Sequence, residues 1–126
     1  MDYRIDADTI KSLQKAQKNE ITEHHIYLKL SSLIKNEHNS KILQQIARDE
    51  LRHHDELKKF TGTDKKPDTL KIYFYTFISM IFGITFGIKL MERGEESSEK
   101  LYKELGDNIK EFERIAKEED KHEKEL

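Results

Sequence analysis

Residues 43–60 read LQQIARDELRHHDELKKF. Within them Leu43, Ile46, Glu50, His53, Leu57 and Phe60 recur at alternating intervals of three and four, the spacing at which side chains share one face of an α-helix. Four of the six are apolar, which turns that face toward a core; the other two are a carboxylate and an imidazole. An unpartnered carboxylate in a core costs several kcal/mol, so something has to compensate Glu50 there. The pattern returns once: Ile109, Phe112, Ile115, Glu119, His122 and Leu126 form a similar stripe, again with Glu and His three apart. With 16 Glu and six His in the chain, two Glu-x-x-His pairs are unremarkable by number. Their position in an apolar stripe is the signal.

The same spacing organises the rest of the chain. Apolar periodicity and capping residues predict helices at about 8–36, 40–60, 69–105 and 108–126, an all-α four-helix bundle in a single domain, 1–126. Asn39 and Ser40 are good capping residues for the second helix and Gly62 a stop for it; Asn108 and Glu111 have capping-box spacing at the fourth. Composition agrees. With 38% charged and 35% hydrophobic residues, one Pro and five Gly, the chain favours helices over a sandwich or barrel, which needs frequent turns. A net charge of −2 gives no electrostatic footprint for nucleic acid. The absence of Cys excludes disulfides, thiolate zinc sites, iron–sulfur clusters and Cys nucleophiles, and fits a reducing, cytoplasmic compartment. The opening MDYRIDADTIK lacks the apolar run of a secretory signal.

Residues 72–88, IYFYTFISMIFGITFGI, are 17 uncharged residues in a row. A membrane span takes about 20 apolar residues, and this stretch contains Thr, Ser and two Gly. A helix apolar on every side is embedded in a membrane or buried by protein. A span here would put the first and last thirds of the chain, which carry the two Glu-x-x-His pairs' partners, on opposite sides of a bilayer. The expectation is therefore burial against a second copy, a homodimer. Gly83 and Gly87, four apart, either let two backbones approach closely or mark a kink.

The first and third helices supply carboxylates in the same manner. Glu20 lies on the stripe Leu13, Gln17, Glu20, His24, Tyr27; Glu92 and Glu95 lie on the stripe Ile78, Ile81, Ile88, Glu92, Glu95, Tyr102. Glu followed by Tyr seven residues later occurs in both, as Glu20/Tyr27 and Glu95/Tyr102. Each half of the chain is thus a Glu helix followed by a Glu-x-x-His helix, a weak repeat with approximate twofold logic. One Glu from each of two helices plus Glu-x-x-His from each of the other two is the ligand set of a carboxylate-bridged di-iron or di-manganese bundle. Carboxylate oxygen and imidazole suit Fe(II) and Mn(II). The competing reading is a structural polar network in the core. Glu23, three residues after Glu20, is an alternative second ligand on the first helix. His24 and His25 read as supporting or surface groups, His38 and His54 as solvent-exposed, and Tyr27 and Tyr102 as core residues with hydrogen-bonded hydroxyls.

Taken together, Glu20-(x6)-Tyr27, Glu50-x-x-His53, Glu92-x-x-Glu95 and Glu119-x-x-His122 resemble the rubrerythrin branch of the ferritin-like superfamily, over nearly the whole chain. The stretch GITFGIKLMERGEESSEKLY and the ending EEDKHEKEL are similar to the rubrerythrin-like domain at the N-terminus of some vacuolar-iron-transporter-type membrane proteins. The resemblance implies a ferritin-like four-helix bundle holding two iron ions per site, with manganese as the alternative. It implies Glu20, Glu50, Glu92 and Glu119 as core ligands, Glu50 and Glu119 bridging, His53 and His122 as nitrogen ligands, and Glu95 as the extra carboxylate that sets rubrerythrins apart from ferritins. The implied activity is Fe(II) oxidation (ferroxidase) or hydrogen peroxide reduction, with dioxygen or peroxide as oxidant. Its alternative is a non-catalytic iron-sensing or iron-loading domain, attached to or serving a membrane iron transporter. Two departures stand out. Rubrerythrins proper carry a Cys-rich iron site that feeds electrons to the di-iron centre, and this chain has no Cys. Transporter-linked domains continue into a membrane domain, and this sequence ends at Leu126, as a free-standing domain or a piece of a longer chain.

The linker poses a geometric problem. The second helix ends about 7 residues, or ~10 Å, beyond His53, whereas Thr69 lies ~35 Å of helix before Glu92. Thr61–Asp68 spans at most ~28 Å. Either residues 69–82 are themselves the crossover, bending near Gly83, or the helix stays straight and two chains exchange halves. The half-exchanged dimer is the favoured expectation.

Overall fold

Helix α1 (Ala7–Leu33) starts where the Asp6 carboxylate accepts the Thr9 amide at 2.7 Å, and α2 (Glu37–Thr61) where Asn36 accepts the Asn39 amide at 3.0 Å. Asn36 thus caps ahead of the expected Asn39–Ser40. Ser40 Oγ instead donates to the Ser31 carbonyl at 2.8 Å and holds the turn against α1. Gly62, at φ 68°, ends α2 with its amide on the Lys58 carbonyl. These features come from a computed structural model that describes residues 5–125; Leu126, expected on the last stripe, lies outside them. Among the described residues the regular structure is all helix, completed by α3 (Thr69–Phe82), α4 (Ile84–Arg93), α5 (Glu96–Gly106) and α6 (Lys110–Glu125). Helix α1 packs along α2 and α5 along α6, α3 lies against α1, and α6 meets α2. The bundle is the all-α fold expected.

The single long helix expected over 69–105 is three helices. Its first break is at Gly83, where φ 100° and ψ 152° describe a backbone region essentially reserved for glycine. A Cβ there would meet no atom within 4 Å, so the requirement is conformational, not steric. Gly87 is the opposite case. A Cβ on it would lie 1.9 Å from Ser79 Oγ, so its bareness is what lets α4 fold back on α3. The kink and the close approach are both realised, within one chain. The break also changes the helical phase: Ile72 and Ser79 form the buried face of α3, while Ile81, expected in line with Ile88, is exposed.

This bend decides the crossover. Residues 69–82 run across α1, α4 returns from Gly83, and the carboxylates of both halves meet inside one chain. A straight helix with exchanged halves is therefore not the arrangement found; the bend at Gly83 removes the need for it. The linker is held to α1 by Thr61 Oγ1 donating to Gln17 Oε1 (2.7 Å), Gln17 Nε2 donating to Thr63 O (2.6 Å), and the Asp68 amide donating to Thr22 Oγ1 (2.8 Å).

Two apolar clusters result. One joins Ile26, Tyr27 and Leu30 of α1 to Leu43, Ile46 and Ala47 of α2, Ile72 of α3, and Ile88 and Met91 of α4. The other joins Leu13 and Ala16 to Leu57, Tyr102, Leu105, Phe112 and Ile115. Between them on α1 and α2 lie Glu20, Glu23, Glu50 and His53. The outer face of α3 stays uncovered, with Leu70, Tyr73, Phe74, Phe77 and Met80 at least half exposed. Among the described residues no helix is long and apolar enough to cross a membrane.

Candidate metal centre

The layer between the two clusters is where the Glu-bearing stripes converge. Glu20, Glu23, Glu50, Glu95 and Glu119 are all 8% exposed or less, with His53 and His122 buried among them. Among the described residues none of these five carboxylates has a Lys or Arg within 4.0 Å; their basic neighbours are the two imidazoles. Ligand atoms of Glu20, Glu50, His53 and Glu119 all lie within 4.8 Å of one another. A second group with the same closeness is Glu23, Glu95 and Glu119, so Glu119 belongs to both.

Distances describe a shared point more than a hydrogen-bond network. His53 Nδ1 is 3.0 Å from Glu119 Oε1, 3.4 Å from Glu20 Oε2 and 3.7 Å from Glu50 Oε1. His122 Nδ1 is 3.2 Å from Glu50 Oε1. Yet Glu20 Oε2, both oxygens of Glu50, Glu95 Oε1, Glu119 Oε1, His53 Nδ1 and His122 Nδ1 are all buried without an aligned hydrogen-bond partner. Native structures leave only a few such atoms per hundred residues, and here four more lie on His54, Glu56, Thr76 and Glu92. Seven on one layer is the pattern of donors that share an ion instead of a proton, and carboxylate oxygen with imidazole nitrogen is a donor set that fits iron or manganese.

Glu92 stands apart from both groups. Its carboxylate is 3.8 Å from Lys89 Nζ, although its Oε1 is also buried and unpartnered. The second break of the third segment explains the difference from Glu95. The Gly94 and Glu95 amides bond to the carbonyls of Met91 and Glu92 three residues back, so the helix tightens there, and Glu95 turns inward while Glu92 stays near the edge.

Both imidazoles are oriented from outside, and by the other helix's motif. His53 Nε2 lies 3.3 Å from Glu118 Oε2, and His122 Nε2 lies 2.8 Å from Asp49 Oδ2. A carboxylate at Nε2 fixes the proton there and leaves the Nδ1 lone pair for the centre. Asp49 precedes Glu50 and Glu118 precedes Glu119, so each acid one residue ahead of a Glu-x-x-His pair holds the histidine of the opposite pair. Neither was singled out from the sequence; the repeated acid-Glu-x-x-His pattern was the available signal. Arg52 pairs with Glu118 and Arg114 with Glu56, tying α2 to α6 around this shell.

Burial sets the protonation of the metal-free layer. It pushes Glu50 and Glu95 well above the carboxylate range, Glu50 further by the charges of Glu119 and Glu20, Glu95 by that of Glu23. It carries Glu23 up to about 8 and also raises Glu119. His53 goes the other way from its burial. Desolvation alone would lower it, but the charge of Glu20, the Glu118 carboxylate at Nε2 and the Glu119 and Glu20 oxygens close to Nδ1 push it up to about 12. Tyr102 Oη donates to Glu20 Oε1 at 3.0 Å across the bundle, as expected of a core tyrosine with a bonded hydroxyl.

The remaining histidines divide differently from expectation at one place. His38 is exposed, and His24 Nδ1 is bound to the Ala47 carbonyl at 2.6 Å. His54, expected in solvent, is buried: its Nδ1 is 3.1 Å from Asp55 and its Nε2 3.3 Å from Asp64, because the α2–α3 linker folds over it.

A family model described as Rubrerythrin matches residues 11–85. That span includes Glu20, Glu23, Glu50 and His53 and ends within α4, ahead of Glu92, Glu95, Glu119 and His122. No curated protein and no solved structure matches the chain significantly.

Proposed function

Because the chain belongs to the rubrerythrin family, we propose that its buried layer holds two iron ions on Glu20, Glu50, His53, Glu92, Glu95, Glu119 and His122, and that it couples Fe(II) oxidation to reduction of dioxygen or hydrogen peroxide. The observation that carries this reading is the set of buried, unpartnered oxygens and nitrogens on residues from both halves of the chain. A pair of irons bound there would supply two electrons in one encounter, the number that takes hydrogen peroxide to two waters with two protons.

The protein's part is to position and protect. Glu50 and Glu119 would be the carboxylates shared by the two ions, and His53 and His122 would offer Nδ1, with the tautomer set by Glu118 and Asp49. Tyr102 donates to Glu20 and fixes which of its oxygens faces the centre. The apolar clusters on either side exclude bulk water. The uncovered apolar face of α3 is the surface we assign to a second copy, making a homodimer.

One observation favours a second reading. With no Cys, the chain carries no iron–thiolate relay to return electrons to the centre. An iron-sensing or iron-loading domain serving a membrane transporter needs none. Anaerobic loading of metal-free protein with Fe(II), followed by air or peroxide, tests both. The enzyme reading expects two irons per chain, a charge-transfer band and sustained peroxide consumption with an added reductant, in particles that sediment as dimers. Reversible loading without turnover supports the sensor. Saturation well below one metal per chain rejects both, and elemental analysis of the purified protein separates iron from manganese.

A further inference from the structure

The larger cavities of the fold, beside Ile84 and Lys89, along the outer face of α3 and between Ser12 and Lys100, have none of the layer's carboxylates or imidazoles among their walls. A smaller one does. Glu23 and Glu95, 6% and 8% exposed, close its inner end, where their oxygens and one of Glu119 lie within 4.8 Å of one another; Glu20, Glu50 and His53 do not line it. The buried Ile26 of α1 and Met91 of α4 form its apolar depth, and the exposed Lys71 and Gly94 lie at its mouth. Tyr75 of α3 is its largest side chain, partly buried and packed on the cluster that contains Ile26 and Met91. The cavity measures about 40 Å³. A water takes about 10–15 Å³ of such space, so there is room for a molecule of about two or three heavy atoms.

We propose that this cavity is the oxidant's way into the centre and that Tyr75 is its size-determining wall, passing dioxygen or hydrogen peroxide and turning away alkyl hydroperoxides. This rests on the di-metal reading above and narrows the oxidant that the centre accepts. Lys71 at the mouth repels a cation and leaves a neutral molecule unaffected, so the route suits an oxidant better than incoming Fe(II). Any hydroperoxide takes two electrons, one from each of two Fe(II), and two protons as its O–O bond breaks; hydrogen peroxide leaves two waters, and tert-butyl hydroperoxide a water and an alcohol. The chemistry is shared, so a difference in rate reports access.

Two measurements test the gate. With no Cys in the chain, Met91→Cys places a single thiol on the cavity wall, and its labelling by methyl methanethiosulfonate, a reagent too large for the native cavity, is followed in the metal-free protein. Tyr75→Ala should speed that labelling by about tenfold or more, since a covered thiol otherwise reacts only through local opening. Tyr75→Phe, which keeps the ring, should leave it near the starting rate. In Fe(II)-loaded protein, anaerobic stopped-flow oxidation should favour hydrogen peroxide over tert-butyl hydroperoxide by about 100-fold, the scale on which a pocket discriminates by fit. Tyr75→Ala should bring the two rates within about tenfold of each other. Comparable rates in the native protein, or either readout unmoved by Tyr75→Ala, overturns the entry route and leaves the metal pair standing. Fewer than one iron per chain, or loaded iron that neither peroxide oxidises, overturns the di-metal reading itself and the route with it. If Tyr75→Ala does not fold, Tyr75→Leu takes its place in both measurements, with the same outcomes deciding.

Discussion

Asp49 and Glu118 carry a lesson about which residues a stripe analysis can find. Each sits one residue ahead of a buried Glu, about 100° around the helix, where periodicity assigns a side chain to solvent. The structure uses that displaced direction to reach across to the opposite histidine. The buried members of the layer were legible, because Glu50, His53, Glu119 and His122 break apolar stripes. The orienting acids were not, and neither was the burial of His54, which depends on a linker folding back from a distance in sequence. The role assigned to Asp49 has a direct test. Asp49→Asn keeps the shape and removes the charged acceptor at His122 Nε2. Metal affinity should fall by about 10–100-fold, the usual effect of losing such an outer partner, in competition against a chelator. Stability of the metal-free protein should change little, since the Arg52–Asp49 ion pair that is also lost has its Arg half-exposed. Unchanged affinity would show that His122 does not need Asp49.

At the scale of elements, Gly62 was readable as the stop of α2 and takes the left-handed turn there, whereas the caps Asp6, Asn36 and Asp68 were not singled out, and Asn39 and Ser40 were read as the start of α2 in place of Asn36. Residues 72–88 were not readable in this way. With no charge and almost no polar residue in the run, apolar spacing has no contrast from which to show a break, and the two glycines admitted opposite interpretations. The positive φ of Gly83 is what turns a ~35 Å rod into a crossover that one chain can close. Gly83→Ala is therefore expected to cost about 1–3 kcal/mol, the range for a residue forced into such a backbone region, by denaturant unfolding of the metal-free protein. No side-chain clash contributes, because no atom lies within 4 Å of the added Cβ. A variant as stable as the native chain, sedimenting as a tighter dimer, would mean that the helix continues through residue 83 and that halves are exchanged after all.

For the molecule as a whole, the charged layer between two apolar clusters makes stability depend on what neutralises the layer. Without metal, protons do part of that work, and the sign of the pH dependence follows. Glu23 is raised from 4.5 to about 8, so its contribution is fully present below pH 4.5 and is lost as pH rises toward 8. His53 is raised from 6.5 to about 12, so its contribution is present below pH 6.5 and declines steadily above it. Glu50, Glu95 and Glu119, raised for the same reason of burial, act in the same direction. The metal-free protein should therefore lose melting temperature from about pH 5 to pH 9. Bound cations replace the protons, and their binding tightens as the ligands deprotonate. With Mn(II), which avoids oxidation during the measurement, saturation at about 100 times Kd should add roughly 2.7 kcal/mol for each ion bound, and at a fixed Mn(II) concentration the gap between loaded and metal-free melting temperatures should widen with pH. Differential scanning calorimetry at pH 5, 6.5, 8 and 9, with Mn(II) or with chelator, reads both quantities. A metal-free protein that gains stability over this range, or a gap that stays constant, would mean that the buried carboxylates are already ionised and paired within the protein, leaving nothing for a cation to compensate.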